Sequence, residues 1–254
     1  MSKIEQAIRK TSGDRGLLSS LFGHSKESCM AEIEKMQDSY IIEEEALKNK
    51  KIIFKNMKDR NLLNSFRGLR TSISTENNKN IIMVTSVCDG SGTSFFTINL
   101  ASATAMDPSK TALLIDCNLR NRDASDLFGL SEKNGISEYI SSPQLEVGNI
   151  IYESGLKRLR VLPYGSKNLT VNECFSHPKF HNLLGEIKYR YQERNVFIDS
   201  PPILKCADTS ILLELCDQVI LVVGYGKSCK SEIESACKLI GKEKLRGIVF
   251  NDYI

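Results

Sequence analysis

Two aspartates in this sequence each close a short apolar run. Asp116 follows Ala112-Leu113-Leu114-Ile115, and Asp199 follows Asn195-Val196-Phe197-Ile198. A third run, Ile81-Ile82-Met83-Val84, leads into Cys88-Asp89-Gly90-Ser91-Gly92-Thr93-Ser94 and then into a segment with helical spacing. A strand, a glycine-rich turn and a helix start is the layout of a phosphate-binding loop. Glycines let backbone N–H groups crowd around an anion, and a helix N-terminus adds about half a positive charge behind it. Carboxylates at strand ends beside such a loop hold Mg²⁺ and its water, or position a nucleophile.

These residues therefore point to nucleotide binding and phosphoryl transfer. Asp89, Gly90, Ser91, Gly92, Thr93, Ser94 and Phe95 form the expected phosphate cradle. Ser94, Asp116 and Asp199 form the expected metal set, and Asn251 is placed to read a base edge. A lone strand-terminal aspartate is usually only a turn former. Two of them in a chain with a glycine loop favour a site. One residue departs from the pattern: Thr93 stands where the phosphate-binding lysine is expected. Lys110 and Arg120 are the nearby cations that could substitute, although both read more simply as solvated surface charges.

The elements that must position these groups alternate. Strands are predicted near 81–86, 112–116, 159–162, 195–199, 218–223 and 247–250, and helices near 94–106, 178–191, 207–215 and 230–241. That order implies βαβ units, an α/β fold with a mainly parallel sheet flanked by helices, and ligands beyond the carboxyl ends of the strands. A further helix, 61–74, carries Leu62, Phe66, Leu69 and Ile73 on one face and Arg67 and Arg70 one turn apart on another. Residues 1–60 read as a separate helical, partly flexible segment and 61–254 as the main domain. The highly charged stretch 27–51 suits a solvated helix or a partner-binding arm.

Composition narrows the classes. The chain has 254 residues, 41% hydrophobic and 26% charged, which is ordinary for a globular protein. A formal net charge of +3 argues for neither nucleic acid nor a membrane surface. The densest apolar run, 219–223, is far too short to span a bilayer, so a cytoplasmic protein is expected. Eight dispersed cysteines without a CxxC pair read as reduced, mostly buried small hydrophobes. Cys174, His177 and His181 have a metal-like spacing, but Pro178 interrupts it and no fourth ligand is evident.

Taken together, these segments resemble the bacterial tyrosine kinases (BY-kinases) of capsule and exopolysaccharide assembly, relatives of the MinD/ParA-type P-loop ATPases. The resemblance spans about residues 61–251. It rests on Phe66-Arg67-Gly68-Leu69-Arg70-Thr71-Ser72-Ile73, on Val84-Thr85-Ser86 before the loop, and on Leu113-Leu114-Ile115-Asp116-Cys117-Asn118-Leu119-Arg120, which is similar to the family's Walker A′ motif. It also rests on Phe197-Ile198-Asp199-Ser200-Pro201-Pro202-Ile203-Leu204, with Ala207-Asp208 after it, which is similar to Walker B. The resemblance implies a P-loop NTPase (MinD/ParA-like) fold, ATP/ADP and Mg²⁺ as cofactors, and Asp116, Asn118 and Asp199 as the catalytic positions.

The departures from the family are as informative. The family's loop lysine is Thr93, and its second Walker A′ aspartate is Asn118. The first charge of its oligomerisation helix is Asn64, ahead of Arg67 and Arg70. The tyrosine-rich tail is reduced to Tyr253. A lysine at the developing charge contributes on the order of 3–4 kcal/mol, and an amide cannot accept a tyrosine proton. The resemblance thus implies a regulatory partner with weak or absent tyrosine autokinase activity. Its expected partner is the cytoplasmic part of a membrane polysaccharide co-polymerase (chain-length regulator), at the inner face of the plasma membrane. Homo-oligomers would form through Arg67 and Arg70, and no nucleic acid is involved. Two alternatives stand beside it. A MinD/ParA-type positioning ATPase would carry an extra lysine where Cys88 stands, and a scaffold protein would bind no nucleotide.

Overall fold

Every residue of β1 (Ile81–Ser86), β2 (Thr111–Asp116), β5 (Arg194–Asp199) and β6 (Gln218–Gly224) is buried. Such continuous burial is what parallel strands covered on both faces require, and it explains their unbroken Ile/Val/Leu runs. The structure, a computed structural model, describes residues 39–73, 81–118, 123–166, 169–190 and 194–251. Readings made at Arg120, at Tyr253 and on residues 1–38 lie outside the described residues. The chain divides into two compact units, Met1–Met36 and Gln37–Ile254, and all the described residues fall in the second.

The sheet has seven strands in the order β3-β4-β2-β5-β1-β6-β7, with β3 (Tyr152–Glu153), β4 (Leu159–Leu162) and β7 (Leu245–Asn251) completing it. Every pairing is parallel except β3 with β4, where Tyr152 meets Val161. Six of the strands match the sequence reading; the two-residue β3 was not foreseen. The parallel register sets Asp116 opposite Asp199 across β2 and β5. It also brings the ends of β1, β2, β5 and β7 to one edge of the sheet.

Each face of the sheet carries its own core. One is filled by Phe175, Phe180, Leu183 and Ile187 from α6 (Val171–Phe175) and α7 (Pro178–Arg190), together with α8 (Thr209–Leu215) and α9 (Lys230–Ile240). The other is built on α3 (Thr93–Ala105), which directly follows the glycine loop and has every residue buried except Phe95. A helix enclosed this fully must satisfy its hydroxyls internally. Thr97, Ser102 and Thr104 each donate to the carbonyl four residues earlier.

The segment before α2 (Arg60–Ser72) differs from the reading as a solvated arm. Within α1 (Glu44–Asn49) Leu47 is buried, and Ile52 and Ile53 behind it join the same core. Asn99 of α3 fixes this stretch: its Oδ1 accepts from the Ile53 amide at 2.7 Å and its Nδ2 donates to the Lys51 carbonyl at 3.2 Å. The charged residues of 44–51 mask a single buried leucine, Leu47. In α2 the deepest residues are Leu63 and Phe66, with Leu62 and Leu69 only partly covered.

Candidate active site at the carboxyl edge of the sheet

The loop after β1 is shaped by two glycines in the left-handed region, Gly90 (φ +69°) and Gly92 (φ +85°). A side chain at Gly92 would place its Cβ 2.3 Å from Asn251 Nδ2, so only glycine fits there. Asn251, at the end of β7, donates that nitrogen to the Ser91 carbonyl at 3.1 Å. The Ser86 and Ser91 hydroxyls both donate to the Cys88 carbonyl, at 3.0 and 2.8 Å. These bonds engage the Cys88 and Ser91 carbonyls, while Gly92 caps α3, whose first amides have no intrahelical acceptor. The result is an anion-seeking helix N-terminus at the mouth of a cavity of about 380 Å³.

The cavity joins the sequence-predicted groups. Asp89, Gly90, Ser91, Gly92, Thr93, Ser94 and Phe95 line it from the loop, and Asn118 lines it from the end of β2. Asn251 acts from behind as the tether just described. Ser86 and Pro202, from the segments quoted for the family resemblance, also line the wall, as do Asp123 of α4 (Asp123–Leu127) and Lys227, which were not anticipated. Lys110 precedes β2 and so sits at the opposite end of that strand from the loop, which removes it as a substitute cation.

Asp116 and Asp199 are both fully buried, yet their surroundings differ. Asp116 Oδ1 accepts from the Asn118 amide at 3.1 Å, and Oδ2 accepts from the Ser125 amide and hydroxyl at 2.9 and 2.5 Å. Burial raises its pKa, and the hydrogen bonds from Ser125 and Asn118 pull part of that back. Both carboxylate oxygens of Asp199 are buried without a hydrogen-bond partner among the described residues. Burial, reinforced by the charge of Asp116, holds the Asp199 carboxyl well above the usual carboxylate range; only the neighbouring Ser94 hydroxyl acts against it. A buried acceptor with no donor is costly, and two adjacent ones suit a cation that replaces the missing donors.

The metal-like spacing of Cys174, His177 and His181 resolves into local caps. His177 Nδ1 accepts from the Lys179 amide at 3.2 Å, and His181 Nε2 donates to the Phe175 carbonyl at 3.0 Å. Burial pushes the Cys174 thiol up to about 12. No cluster of three His, Cys, Asp or Glu able to hold a metal occurs among the described residues. This leaves the Mg²⁺ reading of the loop open, since Mg²⁺ commonly takes only one or two carboxylates, with substrate phosphates and water supplying the rest.

No family model matches the chain. The tyrosine-protein kinase CpsD of Streptococcus agalactiae serotype III is 31% identical over 190 residues, covering 73% of this chain and 80% of the relative. The chain belongs to the bacterial tyrosine kinases. The BceF tyrosine kinase domain shares 26% identity at a TM-score of 0.67, covering 84% of this chain and 91% of that one. MinD from Aquifex aeolicus, solved with MinC, aligns at a TM-score of 0.55 with 21% identity over 69% of each chain, a likeness of fold alone. Thr93 and Asn118, which the sequence reading takes as departures from the kinase pattern, both line the cavity. Arg70, one of the expected oligomer contacts, is engaged within its own subunit, donating to the Ala103 carbonyl at 3.2 Å and lying 3.8 Å from Asp107.

Proposed function

We propose that this chain is a nucleotide-binding regulatory member of the capsule and exopolysaccharide type of bacterial tyrosine kinase, with weak or absent phosphoryl transfer. One observation supports it above the others. The glycine cradle and the buried Asp116–Asp199 pair are intact, while the two positions that would act on the reacting phosphate and tyrosine carry Thr93 and Asn118. The backbone amides of residues 90–94 would hold the phosphates of ATP or ADP. The unpartnered oxygens of Asp199, with the Ser94 hydroxyl and Asp116 beside them, fit a hard divalent cation. When bound, Mg²⁺ supplies charge neutralisation at the β- and γ-phosphates.

What this chain's residues do is bind and orient. Asn118 keeps an acceptor oxygen at the cavity wall but cannot take the proton of an attacking tyrosine hydroxyl. Thr93 offers one neutral hydrogen bond in place of a full charge. A site that binds nucleotide without turnover suits a partner docked on the cytoplasmic part of a membrane polysaccharide co-polymerase. That placement would also supply the membrane proximity, because no helix among the described residues is long and apolar enough to cross a bilayer.

The test combines calorimetric titration with Mg·ADP and phosphotyrosine detection after incubation with Mg·ATP. Binding with little or no phosphotyrosine is expected, with activity gained in Thr93→Lys/Asn118→Asp. Robust turnover in the wild type, abolished by Asp199→Ala, would overturn the regulatory reading. No heat with ADP at high protein concentration would instead favour the scaffold alternative.

A further inference from the structure

The loop lacks its lysine in sequence, yet the fold delivers one from elsewhere. We propose that Lys227, on the turn after β6, is the phosphate-binding cation of this chain, taking the place left by Thr93. The inference rests on the nucleotide reading above. Lys227 lies 137 residues from Gly90, and its Nζ donates to the Gly90 carbonyl at 2.5 Å. Among the described residues lining the cavity it is the one cation, facing Asp89 and Asp123 there. A polyanion entering a cavity with two carboxylates on its wall and two more beneath it requires a positive charge, and Lys227 is the group that supplies it.

The approach is built rather than incidental. The Lys227 amide donates to the Gly224 carbonyl at 3.1 Å, closing a turn that passes through Gly226 at φ +69°. Gly224 leaves room for the lysine stem: a Cβ there would come 3.0 Å from Lys227 Cδ and 3.2 Å from Ser91 Cα. A Cβ on Gly90 would come 2.9 Å from Nζ. Cys88 clasps the two loops together, its thiol lying 3.4 Å from the Lys227 carbonyl and 3.3 Å from the Ser228 hydroxyl. The turn is anchored at its other side by the Tyr225 amide, which donates to the Asn251 carbonyl at 2.9 Å. The ammonium sits on a flexible four-carbon stem, so rotation carries it from the loop carbonyl to a phosphate oxygen held by the same loop.

The test measures binding of Mg·ADP and of adenosine to the full chain, by titration calorimetry, for wild type, Lys227→Gln and Lys227→Arg. The exposed position of Lys227 makes misfolding of these variants avoidable. Lys227→Gln should weaken Mg·ADP by about 10- to 100-fold, the range for losing one charge-assisted contact, and leave adenosine unchanged. Lys227→Arg should retain most of the ADP affinity. In a Thr93→Lys background the Lys227→Gln loss should shrink to below about 3-fold, because both lysines would serve the same phosphate. Unchanged ADP binding in Lys227→Gln, an equal loss for adenosine, or an undiminished loss in the Thr93→Lys background would overturn the proposal while leaving the nucleotide reading in place. A wild type that binds neither ligand would overturn both.

Discussion

A carboxylate buried without a donor works against folding, and Asp199 is such a group. Its raised pKa fixes the sign of a pH effect in metal-free solution. The unfolded state gives up this proton near the ordinary carboxylate pKa while the folded state retains it, so stability falls as pH rises above about 4. Asp199→Asn should therefore unfold at a higher temperature than the wild type at pH 7 with chelator present, with the difference narrowing toward pH 4. A lower melting temperature at pH 7 would show that a donor, the Ser94 hydroxyl or one outside the described residues, satisfies the carboxylate. At this scale the sequence revealed the aspartates and the glycine cradle, because an apolar run ending in a carboxylate is a local pattern. Lys227, Asp123 and Ser125 were not legible, since their roles arise only when distant segments meet. The Gly224-Tyr225-Gly226-Lys227 run was the available signal; a cation preceded by two glycines at a strand's carboxyl end belongs on the site's own edge.

Among the elements, the parallel strands were readable because burial on both faces leaves no polar residue to break the run. Short helices were not. The helices α4, α5 (Ile136–Ser141) and α6 span five or six residues, too few to display a period of 3.6. The stretch 44–53 was misread for a related reason: Glu and Lys dominate its count, yet its attachment depends on Leu47, Ile52, Ile53 and one asparagine of α3. Removing that asparagine's side chain leaves the buried Ile53 amide without its acceptor. Asn99→Ala should thus cost about 2–3 kcal/mol in urea unfolding, near the upper range for a stranded buried donor. A loss under about 0.5 kcal/mol would mean that the segment is held by apolar contact alone. The same docking brings Lys51 and Ile52 close to Phe95, so the segment read as an arm forms a wall beside the glycine loop.

The whole molecule sets its stability against pH through groups that no single element owns. Cys117, Cys174 and Cys216 come from three separate parts of the chain and are buried in one core on the same face of the sheet. Burial raises all three thiols, Cys174 to about 12. In the unfolded chain each ionises near 8.5, whereas in the folded chain each stays protonated. Below that pH both states hold these protons and nothing is lost; above it the unfolded state binds fewer, so stability falls as pH rises. Three such groups give a limiting slope of about 4 kcal/mol per pH unit, approached between pH 9 and 10. Urea unfolding with reductant across pH 7.5–9.5 should show stability flat at first and then dropping steeply, and Cys216→Ala should reduce the limiting slope by about a third. A flat profile to pH 9.5 would mean that these thiols ionise as readily in the folded state as in the unfolded one, and would overturn the prediction. These three buried cysteines are thus one feature of the fold, and a thiol reagent that reacts with them at the rate of global unfolding would report it directly.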